Sequence, residues 1–329
     1  MLGAAFALLS AVAFSLNAVL VRRGVVLASA SQAAFTTVLM GVPMFLLAAL
    51  VTGQAFRAGD LPGASYAYLA AGGVINFVVG RQFNYKAINA IGAARAAPFQ
   101  ALTLPYSVLI AFLFLDESVT IGVGAGVALI MIGPAIMVER RARQSASVTA
   151  PAPTASVPNA GAAPVPAATA AVPNMQEQFA LRQVEGYASA ILASVAYGTS
   201  PILFRAALED STGISIFAGL VSYVAASGVL LMIALVPAQR DLVRALNPSM
   251  LRVFFGASFF VFAAQMLRFL ALSLAPVAIV TGLERTNSVF TLILSWWFNR
   301  RLEFITLRVV IGIVTSVAGA LILVAALAA

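Results

Sequence analysis

Neither cysteine nor histidine occurs among the 329 residues. That excludes disulfides, zinc sites of the Cys/His kind and haem held by thiolate or imidazole. It also excludes Ser–His and Cys–His nucleophiles, and with them most hydrolytic and acyl-transfer chemistry. No G-x-x-x-x-G-K-[ST] loop occurs, so there is no P-loop of its own to cradle a nucleotide. No cofactor and no metal are expected. Charge is scarce: Asp, Glu, Lys and Arg make up 9% of the chain, against about 25% in soluble domains. The first apolar run, MLGAAFALLSAVAFSLNAVLV, lacks the basic flank of a secretory signal. Its charges, Arg22 and Arg23, come after it, and Ala28-Ser29-Ala30 only imitates a cleavage site, so the first helix is expected to stay.

What is present is apolar. Hydrophobic residues are 62% of the sequence and mean hydropathy is +1.01. A water-solvated core cannot absorb that much apolar side chain, so lipid must be the solvent for most of the chain. The runs are continuous over about 20 residues, which is the length of a spanning helix rather than a barrel strand. The net charge of +8 sits at the ends of these runs. It fits anionic headgroups and topology control better than nucleic acid.

One stretch cannot fold. From Gln144 to Asn174 the chain carries no charge and no aromatic ring, and six prolines (Pro151, Pro153, Pro158, Pro164, Pro166 and Pro173) interrupt any helix its alanines could start. The chain therefore divides into a first unit at 1–140, a disordered Ala/Pro-rich linker at 141–183 and a second unit at 184–329. Five spans are expected in the first unit: Leu2–Val21, Gln32–Val51, Tyr66–Ala87, Ala93–Leu115 and Val119–Val138. The second unit supplies Tyr187–Ala207, Ile214–Val236, Leu251–Ser273, Val277–Phe298 and Phe304–Leu327.

The units repeat each other. Glu117, Gly126 and Gly133 have the spacing of Glu303, Gly312 and Gly319. Phe14-Ser15-x-Asn17 with Arg22 matches Tyr197-Gly198-x-Ser200 with Arg205, and Tyr85-x-Ala87-Ile88 matches Phe269-x-Ala271-Leu272. An odd number of spans per copy, joined by a linker that does not span, turns one copy upside down relative to the other. That is the inverted-repeat plan of secondary transporters, with a site between the copies. The seven-residue glycine spacing serves close helix approach. Glu117 and Glu303 complement the dipoles of the helices they open.

On these residues, with Leu104-Pro105-Tyr106 and Asp116-Glu117, each unit resembles the EamA repeat of the drug/metabolite transporter superfamily. The second unit lacks the proline, having Ser288-Val289-Phe290 nearby, and the linker is longer than usual for the family. The resemblance implies an all-α integral membrane protein of ten transmembrane helices in two inverted five-helix repeats. It also implies export or exchange of small metabolites, and no enzymatic activity. The expected location is the inner membrane of a bacterial-type cell, with a small-molecule substrate and the bilayer as partners. No nucleic acid or protein partner is implied. A flippase for a phosphorylated lipid carrier is the alternative. Arginines concentrate in odd-numbered loops, which places both termini outside and the linker in the cytoplasm, opposite to the family's usual orientation.

Charges and amides inside spans are the candidate site, since burying a charge in a span costs about 2.5–3.5 kcal/mol and selects for a cavity. The ninth span carries a stripe of Thr281, Glu284, Ser288, Thr291 and Ser295. The eighth has Ser258, Gln265 and Arg268 on one face; the third has Asn76, Arg81, Asn84 and Tyr85. The fourth has Arg95, Phe99, Leu102 and Tyr106, with Gln100 and Thr103 alongside. The substrate-binding set is expected to be Arg95, Glu284, Arg81, Arg268, Tyr85, Tyr106, Gln265 and Ser288. Its positive sum predicts an organic anion or an amphoteric metabolite, with Glu284 pairing with an arginine or taking a proton. Arg285, about 100° round the helix from Glu284, is not expected to pair with it.

Overall fold

The computed structural model describes residues 2–106, 109, 121–137, 175–208, 213–236, 248–274, 277–300, 302 and 305–328. Among them every regular element is helical. The first unit contains α1 (Leu2–Leu27), α2 (Ala30–Val51), α3 (Gly63–Gly73), α4 (Arg81–Ile91), α5 (Ala93–Ala96) and α6 (Ile121–Met137). The second contains α7 (Met175–Leu208), α8 (Ser215–Leu235), α9 (Pro248–Leu274), α10 (Val277–Glu284), α11 (Asn287–Phe298) and α12 (Leu307–Ala328). A π-helical segment, Val74–Gly80, joins α3 to α4, so Gly63–Ile91 reads as one rod.

Among the described residues, seven stretches are long and apolar enough to cross a bilayer: Leu2–Leu27, Ala30–Val51, Gly63–Ile91, Arg182–Leu208, Ser215–Leu235, Met250–Arg268 and Leu307–Ala326. α1, with 26 residues, is about 39 Å long at 1.5 Å per residue, more than the ~30 Å hydrocarbon core. Among the described residues, the three other expected spans form shorter pieces. α6 has 17 residues. The fourth span is α5, a 3₁₀ turn at Ala97–Leu102 and a helical piece at 103–106, and the ninth is divided into α10 and α11. α7 begins at Met175, so the end of the stretch 141–183 expected as linker is helical. Pro173 is the last proline of that stretch, and Met175-Gln-Glu-Gln-Phe-Ala-Leu that follows is rich in helix formers. The proline-rich core of the linker, Asp116, Glu117 and Glu303 lie outside the described residues.

Helices of one unit pack on helices of the other: α1 with α9, the third span with α7, α2 with α8 and α6 with α12 run antiparallel, whereas α1 and α11 run parallel. Along α1 and α9, Gly24 meets Phe254, Asn17 Nδ2 donates to the Ala257 carbonyl at 2.8 Å and Ser10 Oγ to the Ala264 carbonyl at 3.0 Å. The third span on α7 repeats the scheme: Gly72 meets Phe204 and Gly80 meets Tyr197, and Asn76 Nδ2 donates to Ser200 Oγ at 2.5 Å. Asn17 and Ser200, repeat-equivalent in sequence, thus both join their helix to the other unit.

The equivalent helices α6 and α12 meet at their glycines. A Cβ on Gly133 would lie 2.5 Å from the Gly312 carbonyl oxygen and against Ser316 Oγ. One on Gly319 would lie 2.7 Å from Ile130 N, and one on Gly126 2.8 Å from Leu323 N. Only glycine allows backbones this near. α2 and α8 pair through Phe45 and Tyr223, ring centroids 4.8 Å apart. The N-terminus of α8, whose own N-cap residue Ile214 makes no side-chain cap, is capped from the first unit: Gln54 Oε1 accepts from Ile216 N at 2.9 Å and Phe217 N at 3.2 Å.

Arg22 and Arg23 do more than mark topology. Arg22 Nη1 donates to the carbonyls of Ile88 at 3.0 Å and Asn89 at 2.8 Å, and Nη2 to that of Leu302 at 2.9 Å. Arg23 Nη2 donates to the Phe298 carbonyl at 2.6 Å. Cationic groups thus serve the carbonyl ends of α4 and α11, tying the third- and ninth-span turns to the end of α1.

Candidate functional site

A cavity of about 90 Å³ opens where α1, α4, the fourth span, α7, α9 and the α10–α11 junction converge. At roughly 10–15 Å³ per water position, that is room for a small solvent cluster. α1 contributes Phe14 and Asn17, and the third span Asn76, Arg81, Asn84 and Tyr85. The fourth adds Gln100 and Thr103, α7 Tyr197, and α9 Gln265 and Arg268. The ninth supplies Glu284, Arg285, Asn287 and Thr291. Both units therefore build the wall.

Local backbone explains how these side chains reach it. The π-helical turn at Val74–Gly80 re-aims the residues that follow, and π segments are frequent at functional positions; Arg81 opens α4 directly after it. In the fourth and ninth spans the helix changes character at corresponding points. Ala97–Leu102 tightens to 3₁₀, and α10 stops at Glu284 before α11 resumes at Asn287. The two irregular segments touch: Arg285 Nη1 donates to the Gln100 carbonyl at 2.7 Å.

Arg81 is 3% exposed. Its Nη2 donates to the Tyr223 hydroxyl at 2.7 Å, and its guanidinium lies 5.0 Å from the Phe77 ring centroid and 5.3 Å from that of Tyr223. These aromatic faces stabilise a desolvated cation. No carboxylate among the described residues pairs with it. Glu284, 5% exposed, faces Arg268 across 3.4 Å (Nε to Oε1) and accepts from Ser10 Oγ at 3.5 Å. Arg285 makes no ion pair with Glu284. The wall carries three guanidiniums and one carboxylate, an electropositive interior. Gln100 Nε2 donates to Asn84 Oδ1 at 3.2 Å, linking the third and fourth spans.

Of the expected site residues, Arg81, Tyr85, Gln265, Arg268 and Glu284 lie in this wall; Arg95, Tyr106 and Ser288 do not. Arg95 is buried in α5. The Tyr106 hydroxyl hydrogen-bonds Thr199 at 3.0 Å, and Ser288 Oγ donates to Asn287 Oδ1 at 3.3 Å. Phe99 stacks toward Tyr187 with centroids 5.3 Å apart, in the packed interior. The break after Glu284 interrupts the stripe expected along a continuous ninth helix, so Asn287 faces the cavity in place of Ser288. Sequence reasoning missed Tyr223 and Asn287. Tyr223 stands alone in the apolar run SIFAGLVSYVAASGVLL, a tyrosine that deep in a span being a signal by itself.

The sequence profile of the EamA-like transporter family matches residues 1–138 and 184–325. The chain belongs to that family. It is thus a multi-pass membrane transporter of the drug/metabolite type, in a family of transporters rather than enzymes, and the two matched segments are two EamA repeats. Among curated proteins none matches the sequence. A protein of known crystal structure superposes with a TM-score of 0.56 over 99% of this chain and 97% of its own, at 17% sequence identity. At that identity the likeness concerns the fold alone. The EamA chain and this structure share their architecture end to end.

Proposed function

We propose that this protein is a secondary transporter that moves a small organic metabolite, anionic or amphoteric, by alternating access between two inverted five-span repeats. The direction is export or exchange, across the inner membrane of a bacterial-type cell. The observation that carries the proposal is the cavity itself: a polar, electropositive space whose wall is drawn from both units. Antiparallel packing of the equivalent helices α2 with α8 and α6 with α12 supports the inverted arrangement. Interrupted fourth and ninth spans beside the cavity support a central site, since irregular backbone at membrane depth is tolerated where it borders protein or a polar space.

The test compares metabolites retained and released by cells with and without the protein, then measures uptake of the differing solute into vesicles holding the purified chain. A solute that accumulates in the deleted cells and crosses only protein-containing vesicles is the expected result. Equal metabolite pools with no vesicle flux would sink the reading.

A further inference from the structure

Three side chains that line the cavity each carry a buried polar atom with no hydrogen-bond partner: Arg81 Nη1, Tyr85 Oη and Arg285 Nε. A buried donor left unsatisfied is costly, and three around one space are a pattern. Two of them can only donate, and the tyrosine hydroxyl can donate as well. What they want is an acceptor.

The charges refine this. Glu284, the wall's carboxylate, is engaged by Arg268 and Ser10, so no free anion awaits an ammonium group. Arg81 has no counter-ion, and Arg285 is met by a neutral carbonyl. Arg81 and Tyr85 stand one turn apart on α4, a spacing that sets side chains about 5–6 Å apart at Cβ. Two donors so placed suit the two oxygens of one carboxylate. The remaining wall is rich in amides, Asn17, Asn76, Gln265 and Asn287, which both donate and accept and so favour hydroxyl or keto groups over an alkyl chain.

The geometry points to a small hydroxy- or keto-acid anion as the transported solute, its carboxylate held by Arg81 and Tyr85 and a second acceptor turned toward Arg285. This rests on the transport reading above and narrows it from anionic-or-amphoteric to anionic.

The experiment uses the full chain in lipid nanodiscs, with thermal unfolding and calorimetry against lactate, malate, lactamide, serine and glycerol 3-phosphate. Lactate and malate should raise the unfolding midpoint, lactamide should not, and serine and the phosphate ester should act more weakly than lactate. Tyr85→Phe removes a hydroxyl that no protein group uses. It should leave the ligand-free midpoint unchanged or higher while weakening carboxylate binding about ten- to hundredfold, the range for a hydrogen bond to a charged group. Arg81→Gln should abolish binding. Lactamide matching lactate, serine or glycerol 3-phosphate exceeding it, Tyr85→Phe leaving affinity intact, or no carboxylate response at all (water alone serving these donors) each overturns the assignment. Flux into vesicles is read separately. Vesicles that carry other solutes while carboxylates fail to bind sink this assignment alone; bound carboxylate without flux of any solute sinks the transport reading instead.

Discussion

Gly133→Ala tests the axis on which the two repeats meet. The added methyl carbon would sit 2.5 Å from the Gly312 carbonyl oxygen, 3.0 Å from Ser316 Cβ and closer still to Ser316 Oγ. Comfortable separations begin near 3.5 Å, so the shortfall against the carbonyl is about 1 Å. Ser316 Oγ can rotate away; the Gly312 carbonyl is backbone and cannot. α6 and α12 must therefore part. Overpacking of this kind costs roughly 1–3 kcal/mol, offset by at most about 1 kcal/mol of helix propensity. The net is about 1–2 kcal/mol, or a midpoint roughly 2–4 °C lower for a chain this size. Gly124→Ala is the internal control, with nothing within 4 Å of its new carbon; it should be neutral or slightly stabilising. Gly312→Ala, which meets the Gly133 carbonyl oxygen at 2.6 Å, should match Gly133→Ala. The double variant should fall short of the sum, because helices already pushed apart accept the second methyl more easily. Thermal unfolding of the four proteins in one detergent decides it. If Gly133→Ala is as mild as Gly124→Ala, or the pair adds fully, the two repeats do not meet at these glycines.

Glu284→Gln leaves the Arg268 guanidinium without its counter-charge and should destabilise by about 1–3 kcal/mol, less than for a fully buried pair because Arg268 is partly open to the cavity; adding Arg268→Gln should restore much of the midpoint without restoring flux, and a double variant no more stable than the single would refute the pairing. Asn17→Ala and Asn76→Ala each break one joint between units, and each should cost about 0.6 kcal/mol, up to about 1.7; matched unfolding curves check the equivalence of the two joints. Arg22→Ala frees the Ile88, Asn89 and Leu302 carbonyls, and a thiol introduced at Asn89 should then react faster with a water-soluble maleimide. The absence of natural cysteine makes that rate clean, and an unchanged rate would mean Arg22 does not hold these turns together.

The apolar runs, the repeat and the seven-residue glycine pairs were legible because each depends on a period or spacing within one segment. Gly133 and Gly312 announce a close approach wherever their partner lies. Arg81 and Glu284 announced themselves by the cost of burying charge. The rest depended on neighbours the sequence does not order. Arg95 and Arg81 look alike as intramembrane arginines, yet α5 buries one away from the cavity while the π turn delivers the other to it. Tyr106 reads as a cavity wall until Thr199, from the other unit, is seen to hold it. On the ninth span Glu284 and Thr291 of the expected stripe line the cavity, and Asn287 lines it where Ser288 was expected, just after a backbone break that begins past Glu284, where neither glycine nor proline stands in the sequence to mark it.

That break and its counterpart at Ala97–Leu102 carry a consequence for motion. A helix interrupted inside hydrocarbon releases backbone groups that something must satisfy. Here the Gln100 carbonyl, on the first unit's irregular segment, accepts from Arg285 on the second unit's, and from the Thr103 hydroxyl at 2.9 Å. Part of the need created by one repeat is thus met by a side chain of the other. Parting these segments leaves the carbonyl to Thr103 alone and strands the Arg285 Nη1 donor unless water or solute takes its place. Opening of the cavity and its hydration are then one event rather than two. On the alternating-access reading proposed above, a polar solute that supplies acceptors for Arg285 is expected to lower the barrier to that parting, and an apolar one of equal size is not.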